Sequence, residues 1–121
     1  MSWRIIDLED KDIYTLHATE DYFLNRVNEG NHGPTILFTR LGNPAISVGK
    51  NQNLTKDVDL VQAKLRGVDV ARRETGGRSV YLDRNHYIIS IIDSKKNTLG
   101  DVIKDYHQRC NHLIDVLQDV T

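Results

Sequence analysis

Ile88, Ile89, Ile91 and Ile92 crowd four β-branched side chains into five residues, which commits this stretch to a strand and the chain to a sheet. The turn Asp83-Arg84-Asn85-His86 precedes the run, and residues 79–82 before it read as an antiparallel partner. Further short strands are expected at residues 4–7, 35–39, 45–48 and 68–71. The turn Leu41-Gly42-Asn43-Pro44 follows the second of these, and Gly49 ends the third. Residues 17–28 predict a helix with Leu16, Tyr22, Phe23, Leu24 and Val27 as its apolar content and Gly30 as its stop. Residues 57–66 predict a second helix, capped by Asp57, striped by Val58, Val61 and Leu65, and terminated by Gly67. A long helix over residues 99–117 carries Ile103, Tyr106, Cys110, Leu113, Ile114 and Leu117 at three- and four-residue spacing. Strands outnumber helices and their links are short. The expected class is α+β, a mixed, mostly antiparallel sheet with helices packed on it.

The 121 residues suit one domain, 1–121, without repeats or low-complexity tracts. Sixteen Lys plus Arg against 17 Asp plus Glu argue against non-specific nucleic-acid binding. One cysteine excludes an internal disulfide framework and a zinc site of several thiolates. No apolar run approaches the roughly 20 residues that cross a bilayer. Met1-Ser2-Trp3-Arg4 leads into acidic residues, unlike a signal peptide. The expectation is a soluble, cytoplasmic protein with no nucleic-acid or membrane partner. The neutral balance hides a gradient. Residues 1–30 carry seven acids and three bases, whereas residues 64–84 carry six bases and three acids. Local positive charge in a neutral chain suits a small anion better than a polyanion.

That charge centres on Arg72-Arg73-Glu74-Thr75-Gly76-Gly77-Arg78-Ser79-Val80-Tyr81, between two expected strands. Two glycines permit positive φ and leave N–H groups uncovered, while three arginines add fork-shaped donors. The segment reads as an anion-binding loop, or equally as a glycine hairpin with exposed arginines. It has neither the Lys-Ser/Thr ending of a P-loop nor the spacing of a dinucleotide fingerprint. A second segment, Ser47-Val48-Gly49-Lys50-Asn51-Gln52-Asn53, places amides after a strand, where they orient a ligand or close a turn.

Taken in order, Gly-Lys-Asn-Gln-Asn, a short helix, Arg-Arg-x-Thr-Gly-Gly-x-x-Val-Tyr-x-Asp and an apolar strand resemble the lipoate–protein ligase family. That family belongs to the biotin/lipoate ligase and octanoyltransferase superfamily, and the resemblance runs from about residue 20 onward. It implies that the loop wraps an acyl-adenylate. Arg73 would contact phosphate, and Gly76 and Gly77 would let the main chain approach it. Arg78, Ser79, Val80 and Tyr81 would line the nucleotide and acyl chain, Arg72 and Glu74 would flank the lipoyl end, and Asn51 and Asn53 would brace the loop. The implied reaction activates lipoate with ATP and Mg²⁺ to lipoyl-AMP. It then transfers the lipoyl group to a lysine of an acceptor lipoyl domain, of the 2-oxoacid dehydrogenase or glycine cleavage H protein type. No protein metal site is expected.

Two features depart from the family pattern, although Tyr81-Leu82-Asp83 itself is similar to the ligase version. Arg78 stands where the family loop usually has a third glycine, and Thr-Gly-Gly-Arg is similar to the octanoyltransferase version, which uses a cysteine nucleophile rather than ATP. Leu82 stands where many relatives place histidine. The alternatives are therefore an ATP-independent octanoyl or lipoyl transferase, or a non-catalytic module that binds lipoate or a lipoyl domain. The family's catalytic domain is about twice as long as this chain. By the resemblance its Gly-Arg-Asn-Asp strand and adenylate-binding lysine are missing, and Lys95, Lys96 and Lys104 do not fall at that lysine's place. The catalytic residue is thus unknown, and a second half, from the same gene or another chain, is expected to complete the site. A truncated sheet also raises the expectation of dimerisation or strand exchange.

The remaining candidates read as structural. Cys110 lies on the stripe of the last helix and reads as a buried thiol, and His107, Cys110 and His112 diverge on that helix rather than converge on a metal. His17, His32 and His86 read as isolated turn or surface residues. Asp83 reads as a turn aspartate or an acceptor orienting the loop, and Trp3 as an edge anchor of the sheet.

Overall fold

The computed structural model describes residues 2–94 and 98–120, so Lys95 and Lys96, weighed above, lie outside the described residues. The chain opens with a crossover in which β1 (Arg4–Lys11) and β2 (Thr35–Leu41) pair in parallel around helix α1 (Ile13–Asn28). The helix starts four residues before its predicted boundary because Asp12 caps it, accepting the Thr15 N–H at 2.8 Å and the Thr15 hydroxyl at 2.9 Å. In β1 the register shifts between Asp7 and Glu9. Glu9 adopts a φ of 59° and donates its N–H to Asp7 Oδ1 at 2.8 Å.

The remaining elements follow as β3 (Ala45–Val48), α2 (Leu54–Asp57), α3 (Leu60–Leu65), β4 (Asp69–Arg72), β5 (Val80–Leu82), β6 (Ile88–Ile92) and α4 (Leu99–Val120). They build two three-stranded mixed sheets, ordered β1-β2-β6 and β4-β3-β5. The expected α+β class with mixed pairing is what forms, divided between two sheets; among the described residues two strand pairs are parallel and two antiparallel, so the sheet is not mostly antiparallel as expected.

The predicted hairpin does not form. β5 pairs antiparallel with β3, aligning Val80 with Ser47, while β6 pairs antiparallel with β2, aligning Ile92 with Thr35. Burial decides this. Leu37 and Leu41 of β2 are fully buried, and Ile88 and Ile92 complete the same two apolar clusters. One cluster joins Ile13, Leu16, Leu41 and Ala45, the other Val27, Leu37 and Ile92, and Leu8 packs against both. Pairing β6 with β5 would leave that surface in water.

The single helix predicted over residues 57–66 is two short ones. Asp57 ends α2, and Asp59 caps α3 by accepting the Gln62 N–H at 3.0 Å. The expected stripe breaks accordingly. Val58 and Ala63 are buried, but Val61 and Leu65 are 68% and 74% exposed. Helix α4 has no buried residue among those described, so its apolar stripe stays uncovered. Arg109 ties it to the sheet by donating to Asp93 at 2.8 Å and lying 5.0 Å over the Trp3 ring. Trp3 is thus the seat for α4 beside edge strand β1. Among the described residues, no helix is long and apolar enough to cross a membrane.

Leu37→Ala should cost about 2–5 kcal/mol in urea unfolding, and Val61→Ala less than about 0.5 kcal/mol. Equal costs would restore the predicted stripe.

Candidate functional site

Two loops meet at the end of the second sheet, and arginine side chains hold them there. The Arg72 guanidinium donates to the carbonyls of Gly49, Lys50 and Gln52, at 3.0, 3.2 and 2.7 Å. Arg73 donates to the Ser47 carbonyl at 2.8 Å, and to the Gly76 and Arg78 carbonyls at 2.9 and 2.8 Å. A planar fork suits this task, since it reaches acceptors on two sides of a turn. Main-chain contact closes the junction where Lys50 N–H donates to the Thr75 carbonyl at 2.9 Å. A Cβ on Gly49 would lie 1.9 Å from the Gly77 carbonyl oxygen. Gly77 has a φ of 98°, so it is the glycine whose backbone freedom the loop uses. Gly76 has ordinary φ and faces open space.

The brace expected from Asn51 and Asn53 comes from Gln52. Its Oε1 accepts the Gly49 N–H at 2.8 Å and the Ser79 hydroxyl at 3.0 Å. Asn53 instead starts α2, and its side chain accepts from the Thr55 hydroxyl at 2.9 Å. Asn51 is exposed. Of the three loop arginines, only Arg78 has a guanidinium with no partner among the described residues, and it is exposed.

Beside this junction lies a cleft of about 450 Å³, walled by α1, by β6 and by one face of β5. Leu16, Leu24, Val80, Leu82, Ile88 and Ile92 give it an apolar surface. Side chains alternate along β5, so Val80 and Leu82 line the cleft and Tyr81 does not. Across the cleft runs a strip of polar side chains. His17 Nδ1 bonds Glu20 Oε1 at 2.7 Å, and His17 Nε2 bonds Ser47 Oγ at 2.9 Å. The Ser90 hydroxyl donates to Glu20 Oε2 at 2.6 Å, and Arg73 donates to Ser47 Oγ at 3.2 Å. Asp21 and Glu74 line the same cleft. Partial burial holds the Asp21 carboxyl above the usual aspartate range, with Glu74 and Glu20 adding to the rise and His17 opposing it.

His17 is therefore not an isolated surface residue. It was legible only as part of a pattern: His17, Glu20, Asp21 and Leu24 share one face of α1 at three- and four-residue spacing. Cys110 is half-buried rather than buried, in a separate groove between α4 and the Ile89 and Ile91 side of β6. Asp83 accepts the Asn85 N–H at 2.9 Å within its own turn, and His86 Nδ1 accepts the Asp83 N–H at 3.0 Å. His32 packs near Phe23. Among the described residues, no three His, Cys, Asp or Glu side chains gather to hold a metal ion.

The family model of the lipoyl protein ligase A/B catalytic domain matches residues 12–121. The octanoyltransferase LipM of Moorella thermoacetica is 40% identical over 82 residues, covering 68% of this chain and 30% of that protein. Lipoate-protein ligase A bound with ATP superposes with a TM-score of 0.75 at 25% identity, over 86% of this chain and 42% of that one. P. falciparum LipL1 in complex with lipoate superposes with a TM-score of 0.68 at 26% identity, over 84% and 34%. The chain thus spans less than half the length of each of these proteins, matching the N-terminal part of the catalytic domain.

Gly49→Ala should lower the unfolding midpoint clearly, because the intruded atom is backbone, whereas Gly76→Ala should leave it nearly unchanged. Similar shifts for both would refute the close approach of the two loops. Asp21 makes a pH-dependent prediction. A folded-state pKa above the unfolded one penalises the fold at neutral pH, and the penalty fades as pH falls through the raised value towards 3.8. Asp21→Asn should therefore be more stable than wild type at pH 7, with the advantage shrinking in acid. Parallel stability curves would contradict the assignment.

Proposed function

The chain belongs to the lipoyl protein ligase A/B catalytic-domain family, and from that premise we infer that its cleft binds a lipoyl or octanoyl chain for transfer to a protein lysine. The observation that carries this reading is the cleft itself. Its apolar walls suit a medium-length acyl chain, and the His17, Glu20, Ser47 and Ser90 side chains that cross it are bonded to one another, so an apolar chain covers that line without stranding its donors and acceptors. The reaction inferred here comes from the family premise. An activated acyl carbonyl is attacked by the lysine amine of an acceptor lipoyl domain, giving an amide and releasing the activating group.

Transfer from a thioester is the better-supported chemistry. Glu20, Asp21 and Glu74 line the cleft, and both Arg73 terminal nitrogens already donate to main-chain carbonyls of β3 and the loop, so a neutral thioester meets less repulsion than a free carboxylate. The 40% identity with an octanoyltransferase supports the same choice. ATP-dependent activation of lipoate is the second reading. It is favoured by the open space over Gly76 beside the exposed Arg78, where a nucleotide phosphate has both room and charge. Mg²⁺ would enter with ATP in this reading, because it binds the nucleotide's own phosphate oxygens. Either chemistry draws further residues from the part of the catalytic domain beyond this chain's match.

Calorimetry should detect octanoyl-pantetheine and lipoamide binding to the chain, and Val80→Trp, which fills the cleft, should weaken both at least about tenfold. Unaltered binding in Val80→Trp would remove the cleft from the reading. Lipoate-dependent exchange of pyrophosphate into ATP, assayed with the rest of the domain supplied, selects between the chemistries: exchange supports the ligase, and transfer without ATP supports the transferase.

A further inference from the structure

The cleft has a closed end and an open one, and the directions of its walls fix which is which. Helix α1 crosses between the parallel strands β1 and β2, so it runs against β2. Strand β6 pairs antiparallel with β2 and therefore runs with α1. Strand β3 follows the same course, because Ala45 clusters with Leu16 while Ser47 meets His17. At the start of that course Leu16, Leu82 and Ile88 close the cleft. Leu82 and Ile88 pack there against the buried cluster that Leu16 forms with Ile13, Leu41 and Ala45. A wall backed by a close-packed core has no room to retreat. At the far end stand Asp21, Leu24, Glu74 and Thr75, where the exposed Glu74 and Thr75 open the cleft to water. Leu16 and Leu24 are roughly 12 Å apart along α1, and Ile88 and Ile92 roughly 13 Å apart along β6. With single bonds of about 1.5 Å, an extended eight-carbon chain covers about 9 Å from carbonyl carbon to methyl carbon, and the methyl's own radius takes up most of the rest.

We propose that Leu82 is the end stop of the cleft and sets the preferred acyl chain at eight carbons, the backbone shared by octanoyl and lipoyl groups. The proposal rests on the acyl-binding reading and names the residue that limits the substrate. Its place in the sheet singles Leu82 out among the three end residues. Leu16 is 1% exposed and belongs to the core, and Ile88 is held in register opposite Thr39. By contrast β5 is an edge strand of three residues, and its half-buried Leu82 lines the cleft beside Val80. A change of volume there alters the depth of the cleft without opening the core. The activated carbonyl then lies at the mouth, near Arg73 and Thr75, where an acceptor amine arriving from solvent reaches it. The bonded line of His17, Glu20, Ser47 and Ser90 runs beside the middle carbons and needs no partner from them.

The test measures, by calorimetry on the 121-residue chain, the affinity of acyl-pantetheines from hexanoyl to dodecanoyl. In wild type, affinity should rise about fourfold per methylene up to octanoyl, as each carbon leaves water, and fall at decanoyl. Leu82→Ala should carry the rise on to decanoyl, and Leu82→Phe should end it at hexanoyl. Leu82→Val removes a single methylene and suits a strand, so it serves where Leu82→Ala folds poorly. It should raise the ratio of decanoyl to octanoyl affinity in the same direction. Leu24→Ala, at the mouth, should leave the optimum at octanoyl, which separates an end stop from a general loosening of the cleft. An octanoyl optimum that stays in place in both Leu82→Val and Leu82→Phe overturns the end stop and leaves the acyl cleft intact. An optimum that moves as far in Leu24→Ala overturns it as well. Absence of binding at every chain length in wild type overturns the acyl-binding reading itself, and the end stop with it.

Discussion

The guanidinium of Arg73 is the tie on which the site depends. It gathers the carbonyls of Ser47, Gly76 and Arg78, and so fixes strand β3 against the loop that leads into β5. Hydrogen bonds to a charged donor contribute about 1.5–3 kcal/mol each, and several converge on this one group. With the loop drawn in, the Gly77 carbonyl comes so near Gly49 that no Cβ fits between them. Arg72 repeats the device one residue earlier on the loop that follows β3. The positive charge of this region therefore first organises backbone. Arg78 remains the arginine turned outward.

Helix α1 then connects that junction to the rest of the molecule. Its apolar residues Ile13, Leu16 and Val27 join clusters belonging to both sheets. On its cleft side, His17 reaches Ser47 of one sheet while Glu20 reaches Ser90 of the other. The same polar strip thus spans two sheets whose strands do not pair with each other. In an interior of low dielectric, each of those groups would be costly if left alone, and each has its partner. The cleft is apolar on its walls and polar along a satisfied line, a combination that suits an acyl chain carrying one reactive carbonyl.

Helix α4 behaves differently from α1. It carries a strongly apolar stripe, yet none of its described residues is buried, and a groove containing Cys110 separates it from the outer side of β6. Arg109 bonds Asp93 and Asp105 while its guanidinium plane covers Trp3, and those pairings with Asp105 and Asp93 raise its pKa against the opposing effect of burial. The uncovered stripe accords with a chain that spans less than half the length of the relatives compared above.

Local chemistry was enough to read the element types, because β-branched runs, glycine stops and amphipathic spacing act over a few residues. The strands around Thr35–Leu41 and Ala45–Val48, the long last helix and the Arg72–Tyr81 loop were all legible in this way. The ordered motifs Gly-Lys-Asn-Gln-Asn and Arg-Arg-x-Thr-Gly-Gly also led to the family, and they are the two loops that meet in the backbone junction. Pairing was not legible. β6 chose β2 over its neighbour β5 because Ile88 and Ile92 complete cores whose other buried members lie about 40 to 75 residues away, a separation that no local rule spans. The roles of individual site residues escaped for the same reason. Gln52 rather than the asparagines braces the loop, and His17 meets Ser47 across 30 positions of sequence. The sequence by itself determined which segments become helix, strand and loop. The tertiary structure alone decided which side chains share a cleft, because only folding brings distant donors and acceptors within hydrogen-bond reach and removes them from water.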